Sequence, residues 1–199
     1  CGLYAPHFPN YCPKKYFDLY DPKTIPLPPY RADDLDDLPA KIRKIKTARS
    51  RIHQRLEQLS AVDDAIHGYL ACISYADAMI GRVLNALESS PYADNTIVVV
   101  WSDHGYHLGE HNGIWQKRTL FEQSARSPLI IRAPGMKGNG AASTRIVEFV
   151  DIYPTLTDLA GLKNPKGLEG RSLKPLLVDP LTKWNGTAIT QVLRPADKR

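Results

Sequence analysis

A single uninterrupted run of β-branched residues constrains the fold more than any other feature of the chain. After the turn Asp94-Asn95, residues Thr96–Trp101 read Thr-Ile-Val-Val-Val-Trp, with no alternation of polar and apolar positions. A run of this kind predicts a strand that is buried on both faces, as in a parallel sheet covered by helices. A second apolar run, Pro128–Ile131, predicts a neighbouring strand. The segment between the two runs is about as long as the crossover connection that joins two parallel strands.

Helical periodicity surrounds these strands. Apolar residues at three- and four-residue steps predict helices over Lys41–Leu59 and Val62–Glu88. A third helix is expected over Asp151–Leu162, which Gly161 would end, and Thr187–Leu193 is expected to be the last strand. The alternation of helix and strand predicts an α/β fold with a mainly parallel sheet flanked by helices.

The first forty residues are too rich in proline for regular structure. Eight prolines fall between residues 3 and 39, and each removes a backbone donor and fixes φ. We therefore expect an extended, ordered loop there. The acidic stretch Asp33–Asp37 lacks the alternating spacing and the glycine of a calcium loop, so it is expected to be a solvated turn leading into the next helix.

Composition excludes several classes of protein. The chain has 199 residues, a formal charge of +5 and 43% hydrophobic residues, which is typical of a globular protein and excludes global disorder. The longest apolar runs, such as Ile97–Trp101, are far shorter than the roughly 20 residues that cross a bilayer, so no membrane span is expected. The basic face of the first helix has no accompanying recognition motif, so no nucleic-acid partner is expected. Three cysteines argue against a disulfide scaffold.

Residues with catalytic potential follow the predicted strand directly. In open α/β sheets, ligands bind beyond the carboxyl ends of the strands, where this chain places the loop Ser102–His111. A carboxylate and an imidazole from this loop could hold a divalent cation there, and the two glycines allow a tight backbone path. The alternative is a loop whose aspartate caps a turn and whose histidines bond to backbone carbonyls.

Two further side chains are candidates for the same pocket. The ammonium of Lys117 suits phosphate or sulfate oxygens, although an ordinary surface lysine is the alternative. His7 lies between Pro6 and Phe8-Pro9, where a rigid loop could hold it against a ligand. A structural histidine bonded to a carbonyl is the competing interpretation.

Several ordered motifs resemble those of type I sulfatases in the alkaline-phosphatase superfamily. The front of the chain is similar to the iduronate-2-sulfatase branch of that family. The matching segments are Gly2–Pro9 and Pro13–Tyr16 at the front; Ser102–Gly105, Leu108–His111, Trp115, Lys117, Arg126–Ile131 and Pro134-Gly135 in the middle; and Val150–Thr155, Leu159–Gly161, Leu168–Leu173 and Leu176-Leu177 at the end.

The resemblance implies a mechanism and roles for four residues. In that family the hydrate of a formylglycine attacks the sulfur atom, and one Ca²⁺ holds the sulfate and the nucleophile. By matched position, Asp103 and His104 would be metal ligands, and Asp103 is the stronger assignment because calcium prefers oxygen. Lys117 would bind a sulfate oxygen, while His7 would contact the ester and protonate the departing sugar oxygen.

The chain also departs from the family pattern. It contains no Cys-x-Pro-x-Arg or Ser-x-Pro-x-Arg motif. It also has no early aspartate pair with a following arginine that fits the family's N-terminal strand, because Asp33-Asp34 and Asp36-Asp37 lie in a loop after the His7 motif. We therefore expect one partial sulfatase domain over residues 1–199, comprising a Pro-rich active-site loop (1–40), helices (41–90) and an α/β portion (96–199). The missing N-terminal portion of the same protein would supply the formylglycine nucleophile, so the chain alone is expected to be inactive. A lipoprotein anchor at Cys1 is disfavoured, because Cys1 adjoins the matched front motif.

The expected function is hydrolysis of sulfate esters in a sulfated saccharide, such as the iduronate 2-sulfate units of heparan or dermatan sulfate. The alternatives are a phosphate or phosphonate ester hydrolase of the same superfamily and a non-catalytic fragment. By resemblance alone, the protein is expected to be secreted, periplasmic or lysosomal.

Overall fold

The computed structural model describes residues 1–29, 31, 33–40 and 51–192. The chain forms two compact units. The first comprises Cys1–Ser90 and Tyr106–Lys117, and the second comprises Pro91–Gly105 and Arg118–Arg199. The single-domain organisation expected from the sequence stays a prediction.

The first unit is built on one long helix. It runs over Val62–Glu88, with the predicted bounds, and it has Asp63 and Asp64 in its first turn, where carboxylates favour the positive end of the helix dipole. Its fully buried residues fall in its first half, so the core of the unit lies against that end; they are Ile66, Gly68, Ala71 and Cys72. A shorter helix, Arg51–Gln58, precedes it. The first ten residues of the predicted helix Lys41–Leu59 lie outside the described residues.

By length and composition alone, the long helix could also cross a membrane, although the core helix of a soluble protein passes the same test. The apolar runs considered in the sequence did not reveal this, because small and polar residues interrupt them. The absence of a membrane span therefore stays a prediction.

The proline-rich front of the chain packs on the long helix. It is mostly extended, as predicted, but it also contains a one-turn helix, Lys14–Phe17, and a 3-10 turn, Pro22–Thr24. Aromatic side chains make the contacts with the long helix: Tyr16 with Tyr75 (ring centroids 5.3 Å apart), Phe17 with His67 (5.3 Å) and the Tyr20 hydroxyl with Ser74 Oγ (2.6 Å). The front segment is therefore held by its aromatic residues rather than by a sheet.

The second unit contains a two-stranded antiparallel sheet within the described residues. Strand β1 (Val98–Trp101) pairs with β2 (Leu129–Arg132), and Trp101 lies opposite Leu129. The parallel arrangement predicted for these two strands is wrong, as is burial on both faces, since Trp101 is 54% exposed. The residues between them form loops and two four-residue helical segments, Glu110–Gly113 and Glu122–Ala125. They do not form the long crossover helix that a parallel pair requires.

Short helices complete the second unit. The predicted third helix is confirmed, although it is shorter, at Ile152–Leu159, and Gly161 follows its end with φ +69°. A last helix spans Lys174–Val178. The predicted strand Thr187–Leu193 is wrong over residues 187–192, and Leu193 lies outside the described residues. There the amide of Ile189 donates to Glu148 Oε1 (2.6 Å), so a side chain and not a strand ladder holds the segment.

A buried carboxylate organises these helices. Asp151 is 4% exposed, and its Oδ2 accepts the amide of Glu148 (3.0 Å) while its Oδ1 accepts the amide of Arg171 (2.9 Å). Its backbone carbonyl accepts the hydroxyl of Thr155 (2.6 Å), which in turn accepts the amide of Leu173 (2.8 Å). The side chains of Asp151 and Thr155 thus connect residues 148–155 to residues 171–173.

Substituting Asp151→Ala should lower the free energy of unfolding by about 3 kcal/mol, because two amides would lose a charged acceptor. Urea denaturation followed by circular dichroism measures the change. The exposed Asp94→Ala is the matched control and should stay within about 0.5 kcal/mol of wild type. Equal losses in both variants would contradict a structural role specific to Asp151.

Candidate functional site

The loop after β1 is held by hydrogen bonds on both sides of the predicted metal pair. The Ser102 amide donates to the Pro128 carbonyl (3.4 Å), and its hydroxyl donates to the His104 carbonyl (2.8 Å). The Gly105 amide donates to the Ser124 carbonyl (2.9 Å). Asp103 and His104 therefore project from a loop whose two ends are fixed to the following segment.

Gly105 is required by a close backbone approach. A Cβ atom at this position would lie 2.2 Å from the carbonyl oxygen of Gln123, a distance that real Cβ atoms do not show. This agrees with the tight backbone path inferred from the glycines of the loop. The loop can follow its course only if residue 105 has no side chain.

Asp103 and His104 lie together. Oδ2 of Asp103 is 3.4 Å from Nε2 of His104, and the Asp103 side chain is 81% exposed. Nδ1 of His104 is 2.8 Å from the carbonyl of Gly105, and since a carbonyl only accepts, Nδ1 carries the proton. In the neutral ring, Nε2 then has its lone pair on the side of the carboxylate. The carbonyl bond expected from the alternative interpretation is present, and it orients the ring.

The Asp103 carboxylate and the His104 imidazole could serve as two ligands of a calcium site. A carboxylate oxygen suits Ca²⁺, which takes six to eight oxygen ligands, and an imidazole nitrogen is a weaker ligand for it. Among the described residues, no group of three or more histidine, cysteine, aspartate or glutamate side chains is placed to hold a metal ion. The pair can therefore supply two positions of a cation site and cannot complete one within this part of the chain.

His7 lies in the first unit at a small cavity. Its Nδ1 donates to the Phe8 carbonyl (2.5 Å), and its ring lies 4.7 Å from that of Tyr4. The cavity, of about 200 Å³, is lined by His7 and by the following residues of the front segment and the long helix: Gly2, Leu3, Tyr4, Ala5, Pro9, Tyr11, Cys72, Tyr75 and Ala76. With Nδ1 bonded to a carbonyl, Nε2 is the nitrogen that His7 can offer to a ligand.

Lys117 also belongs to the first unit. It is partly exposed and follows the buried Trp115, whose ring stacks on His53 with centroids 6.2 Å apart. Asp103 and His104 belong to the second unit. The structure thus brings the predicted metal pair together, and the convergence of all four residues on one anion stays a prediction.

A histidine–aspartate pair in the first unit was not foreseen. Nδ1 of His111 is 2.6 Å from Oδ2 of Asp34, although the acidic stretch was expected to be solvated. The stretch is a turn, as predicted, but Asp34 is only 28% exposed. His111 and Asn112 have φ of +52° and +62°, left-handed values that cost of order 1–2 kcal/mol each in non-glycine residues. The bond to Asp34 helps to hold this conformation. Neither spacing nor composition signals a contact between residues 77 positions apart.

His107 is fully buried, unlike His104. It is 0% exposed, and its ring packs edge-on against His111 with centroids 5.5 Å apart. Burial, with a smaller contribution from the charge of His111, lowers the pKa of His107 to about 4. His107 is therefore a neutral core residue near neutral pH.

The comparison with protein families decides the identity. The Sulfatase family model matches residues 2–162. This chain belongs to the sulfatase family. A relative described as a sulfatase from Formosa agariphila is 41% identical over 181 residues, which cover 86% of this chain and 34% of that protein. An N-acetylglucosamine-6-O-sulfatase from Bacteroides thetaiotaomicron is 47% identical over 109 residues, covering 55% of this chain and 19% of that protein.

Solved structures show a similar fold. A phosphonate monoester hydrolase from Silicibacter pomeroyi superimposes with a TM-score of 0.71 at 32% identity, over 87% of this chain and 35% of the other. The protein BT4656, in complex with its substrate D-glucosamine-2-N,6-O-disulfate, superimposes with a TM-score of 0.57 at 38% identity, over 71% of this chain and 27% of the other. The α/β fold of the alkaline-phosphatase superfamily is thereby confirmed. The sulfatase-family chain spans about a third of the length of the Formosa relative.

Substituting Gly105→Ala should lower the free energy of unfolding by about 3 kcal/mol, since the new methyl group would meet the Gln123 carbonyl. Urea denaturation measures the loss. The control is Gly81→Ala, which has open space around its Cβ position on the long helix and should raise stability by up to about 1 kcal/mol. A Gly105→Ala variant as stable as wild type would show that the loop does not need this approach.

Acidification should destabilise the fold through His107. Because its pKa is about 4 in the folded state against an ordinary 6.5, the unfolded chain binds the additional proton between these values. Stability should therefore fall by up to about 3 kcal/mol as the pH drops from about 6.5 to about 4.

Urea denaturation across this pH range tests the effect as a difference between variants. His107→Gln should flatten this part of the curve, whereas His7→Gln, which leaves His107 in place, should keep it. Parallel curves for wild type and His107→Gln would exclude His107 as the cause.

Proposed function

We propose that this chain is part of a sulfate ester hydrolase that acts on sulfated sugars. The observation that carries the proposal is the exposed Asp103–His104 pair, in a loop fixed just beyond a strand, in a chain that the Sulfatase family model matches over residues 2–162. Ligands of α/β folds bind at such strand ends. A carboxylate and an imidazole with converging lone pairs suit a cation that in turn holds a tetrahedral oxyanion.

Each of the four residues has a role that its chemistry can perform. Asp103 and His104 would hold Ca²⁺, and the bound ion would neutralise charge on the sulfate oxygens. Lys117 would place its ammonium against another sulfate oxygen and stabilise the charge that develops there. His7, held through Nδ1 by the Phe8 carbonyl, would use Nε2 to give a proton to the departing sugar oxygen.

The nucleophile is proposed to lie in an N-terminal portion of the same protein. The chain contains no Cys-x-Pro-x-Arg or Ser-x-Pro-x-Arg motif that could be converted to formylglycine. We also propose that the protein is exported from the cytoplasm or delivered to lysosomes. This proposal rests only on the resemblance to the iduronate-2-sulfatase branch.

The substrate is proposed to be a sulfated saccharide with a 2-sulfated uronic acid. The front motif Gly2–Pro9, with His7 at its centre, carries this finer assignment through its resemblance to iduronate-2-sulfatases. A sugar ring would lie against the cavity that His7 shares with Tyr4, Tyr11 and Tyr75, where aromatic faces favour apolar sugar edges. A 6-sulfated glucosamine is the competing saccharide, because two of the similar proteins are described with that chemistry.

Hydrolysis of phosphonate or phosphate esters is the second candidate. It is favoured by the superposition on a phosphonate monoester hydrolase with a TM-score of 0.71. Asp103, His104 and Lys117 would serve either reaction, since both substrates present a tetrahedral oxyanion to the site. Assaying sulfate and phosphonate esters of the same phenol separates the two candidates.

The roles of His7 and Lys117 can be separated by the leaving group. The protein that contains this chain and its nucleophile segment would be assayed with a sugar sulfate and with 4-nitrophenyl sulfate. His7→Ala should lower kcat/KM about 100-fold or more on the sugar sulfate, whose alkoxide must be protonated as it leaves. The loss should be about tenfold or less on 4-nitrophenyl sulfate, because nitrophenolate leaves without a proton. Lys117→Met should lower kcat/KM about 100-fold on both.

The exposed Lys163→Met is the control for charge and should leave both rates unchanged. Equal losses on both substrates in His7→Ala would contradict the acid role. Wild-type rates in Lys117→Met would remove the ammonium from the mechanism. A phosphonate ester hydrolysed faster than the matching sulfate ester would favour the second candidate.

A further inference from the structure

Lys117 ends a narrow loop of the first unit, residues 106–117, which we call the lysine loop. Two hydrogen bonds between backbone groups join its outgoing and returning halves: the His107 amide donates to the Gln116 carbonyl (3.1 Å), and the Gly109 amide donates to the Ile114 carbonyl (2.9 Å). Gln116 directly precedes Lys117. The position of Lys117 therefore depends on how the two halves of the lysine loop pair.

Aromatic rings hold the base of the lysine loop. Tyr106 stacks on Tyr69 of the long helix, with ring centroids 6.2 Å apart. On the returning half, Trp115 is 1% exposed and stacks on His53 of the preceding helix. These contacts fix where the loop begins and ends. The register of its two halves depends on the tip, because the geometry of the turn fixes the register of a hairpin.

The tip of the lysine loop has an unfavourable backbone conformation. His111 and Asn112 have φ of +52° and +62°, left-handed values that cost free energy in residues with a side chain. Nδ1 of His111 is 2.6 Å from Oδ2 of Asp34. Because an ionised carboxylate only accepts, the imidazole N–H donates, and such charge-assisted hydrogen bonds are stronger than neutral ones. The bond to Asp34 therefore stabilises a tip conformation that the backbone alone disfavours.

Asp34 is itself held in a hydrogen-bonded turn. The next residue, Leu35, is 6% exposed and anchors this turn in the first unit. The amide of Asp36 donates to the Asp33 carbonyl (2.9 Å) and closes the turn. The short side chain of Asp34 thus presents its carboxylate to His111 from a fixed position.

The location of this pair separates it from an ordinary surface ion pair. Exposed pairs contribute little to stability. The side chains of His111 and Asp34 are only 18% and 28% exposed, and their bond joins the tip of the lysine loop to a turn 77 positions away. Its main effect is therefore on the conformation of the loop that ends at Lys117.

We propose that Asp34 is a positioning residue, which through His111 holds the lysine loop in the register that presents the Lys117 ammonium to the tetrahedral anion. The inference rests on the proposed function, because it requires Lys117 to contact the anion. Without the bond, the tip would relax towards ordinary backbone angles and the returning half would shift. Lys117 would then be in place for only a fraction of the time, and the rate would fall by that fraction.

The test is a double-mutant cycle in the protein that contains this chain and its nucleophile segment. The measured quantity is kcat/KM on 4-nitrophenyl sulfate, or on the matching phosphonate ester if that is the better substrate. Asp34→Ala should lower kcat/KM about tenfold, and Lys117→Met about 100-fold. Adding Asp34→Ala to Lys117→Met should cost less than about twofold more, since no ammonium is left to position.

Two variants separate the bond from the charge. Asp34→Asn keeps an oxygen that accepts the His111 N–H, so it should stay within about threefold of wild-type kcat/KM. Asp37→Ala removes the same charge from an exposed position in the same acidic stretch and should have wild-type activity. Hydrogen–deuterium exchange should be faster in peptides from residues 106–117 of Asp34→Ala, and unchanged in peptides from the long helix.

The outcomes distinguish this inference from the proposed function. Wild-type activity in Asp34→Ala would overturn the inference, as would an equal loss from Asp34→Ala with and without Lys117→Met. Faster exchange along the whole long helix would also overturn it, because the loss would then be one of general stability. Wild-type activity in Lys117→Met would instead contradict the proposed role of Lys117, and the positioning of that residue with it.

Discussion

The close approach of the Gly105 backbone to the Gln123 carbonyl is the constraint on which the candidate metal pair depends. It allows the chain to leave β1, present Asp103 and His104, and turn back within a few residues. The Gly105 amide donates a hydrogen bond to the Ser124 carbonyl, and the Gly105 carbonyl accepts a hydrogen bond from His104 Nδ1. One residue without a side chain therefore sets both the path of the loop and the tautomer of the imidazole.

The sequence predicted best what local periodicity determines. The helix Val62–Glu88 has its predicted bounds, because an apolar stripe with acidic residues at its start is a signal within one segment. The predicted parallel pairing of Val98–Trp101 was wrong, because β-branched residues favour a strand but carry no information about the direction of its partner. The strand expected at Thr187–Leu193 failed for a related reason: the segment around Ile189 is held by the Glu148 carboxylate, a contact across 41 residues.

The same limits apply to the site. Asp103 and His104 are adjacent in sequence, so their proximity was predictable. The pairing of His111 with Asp34 was not, because it depends on how a loop and a distant turn pack together. The three histidines of one loop thus have three environments: His104 beside an exposed carboxylate, His107 buried and uncharged, and His111 bonded to an acid. Composition alone could not distinguish them, and only burial and partners do.

The partial exposure of Trp101 has a practical consequence for studying this chain. Of the three tryptophans, Trp115 is buried against His53, and Trp184 lies under the guanidinium of Arg171 at 3.9 Å. Trp101 ends β1, two residues before Asp103, with over half of its surface in contact with solvent. The Trp101 indole is therefore an intrinsic fluorophore close in sequence to Asp103 and His104. Its fluorescence emission would change with the local charge and hydration when an ion or an anionic sugar binds there.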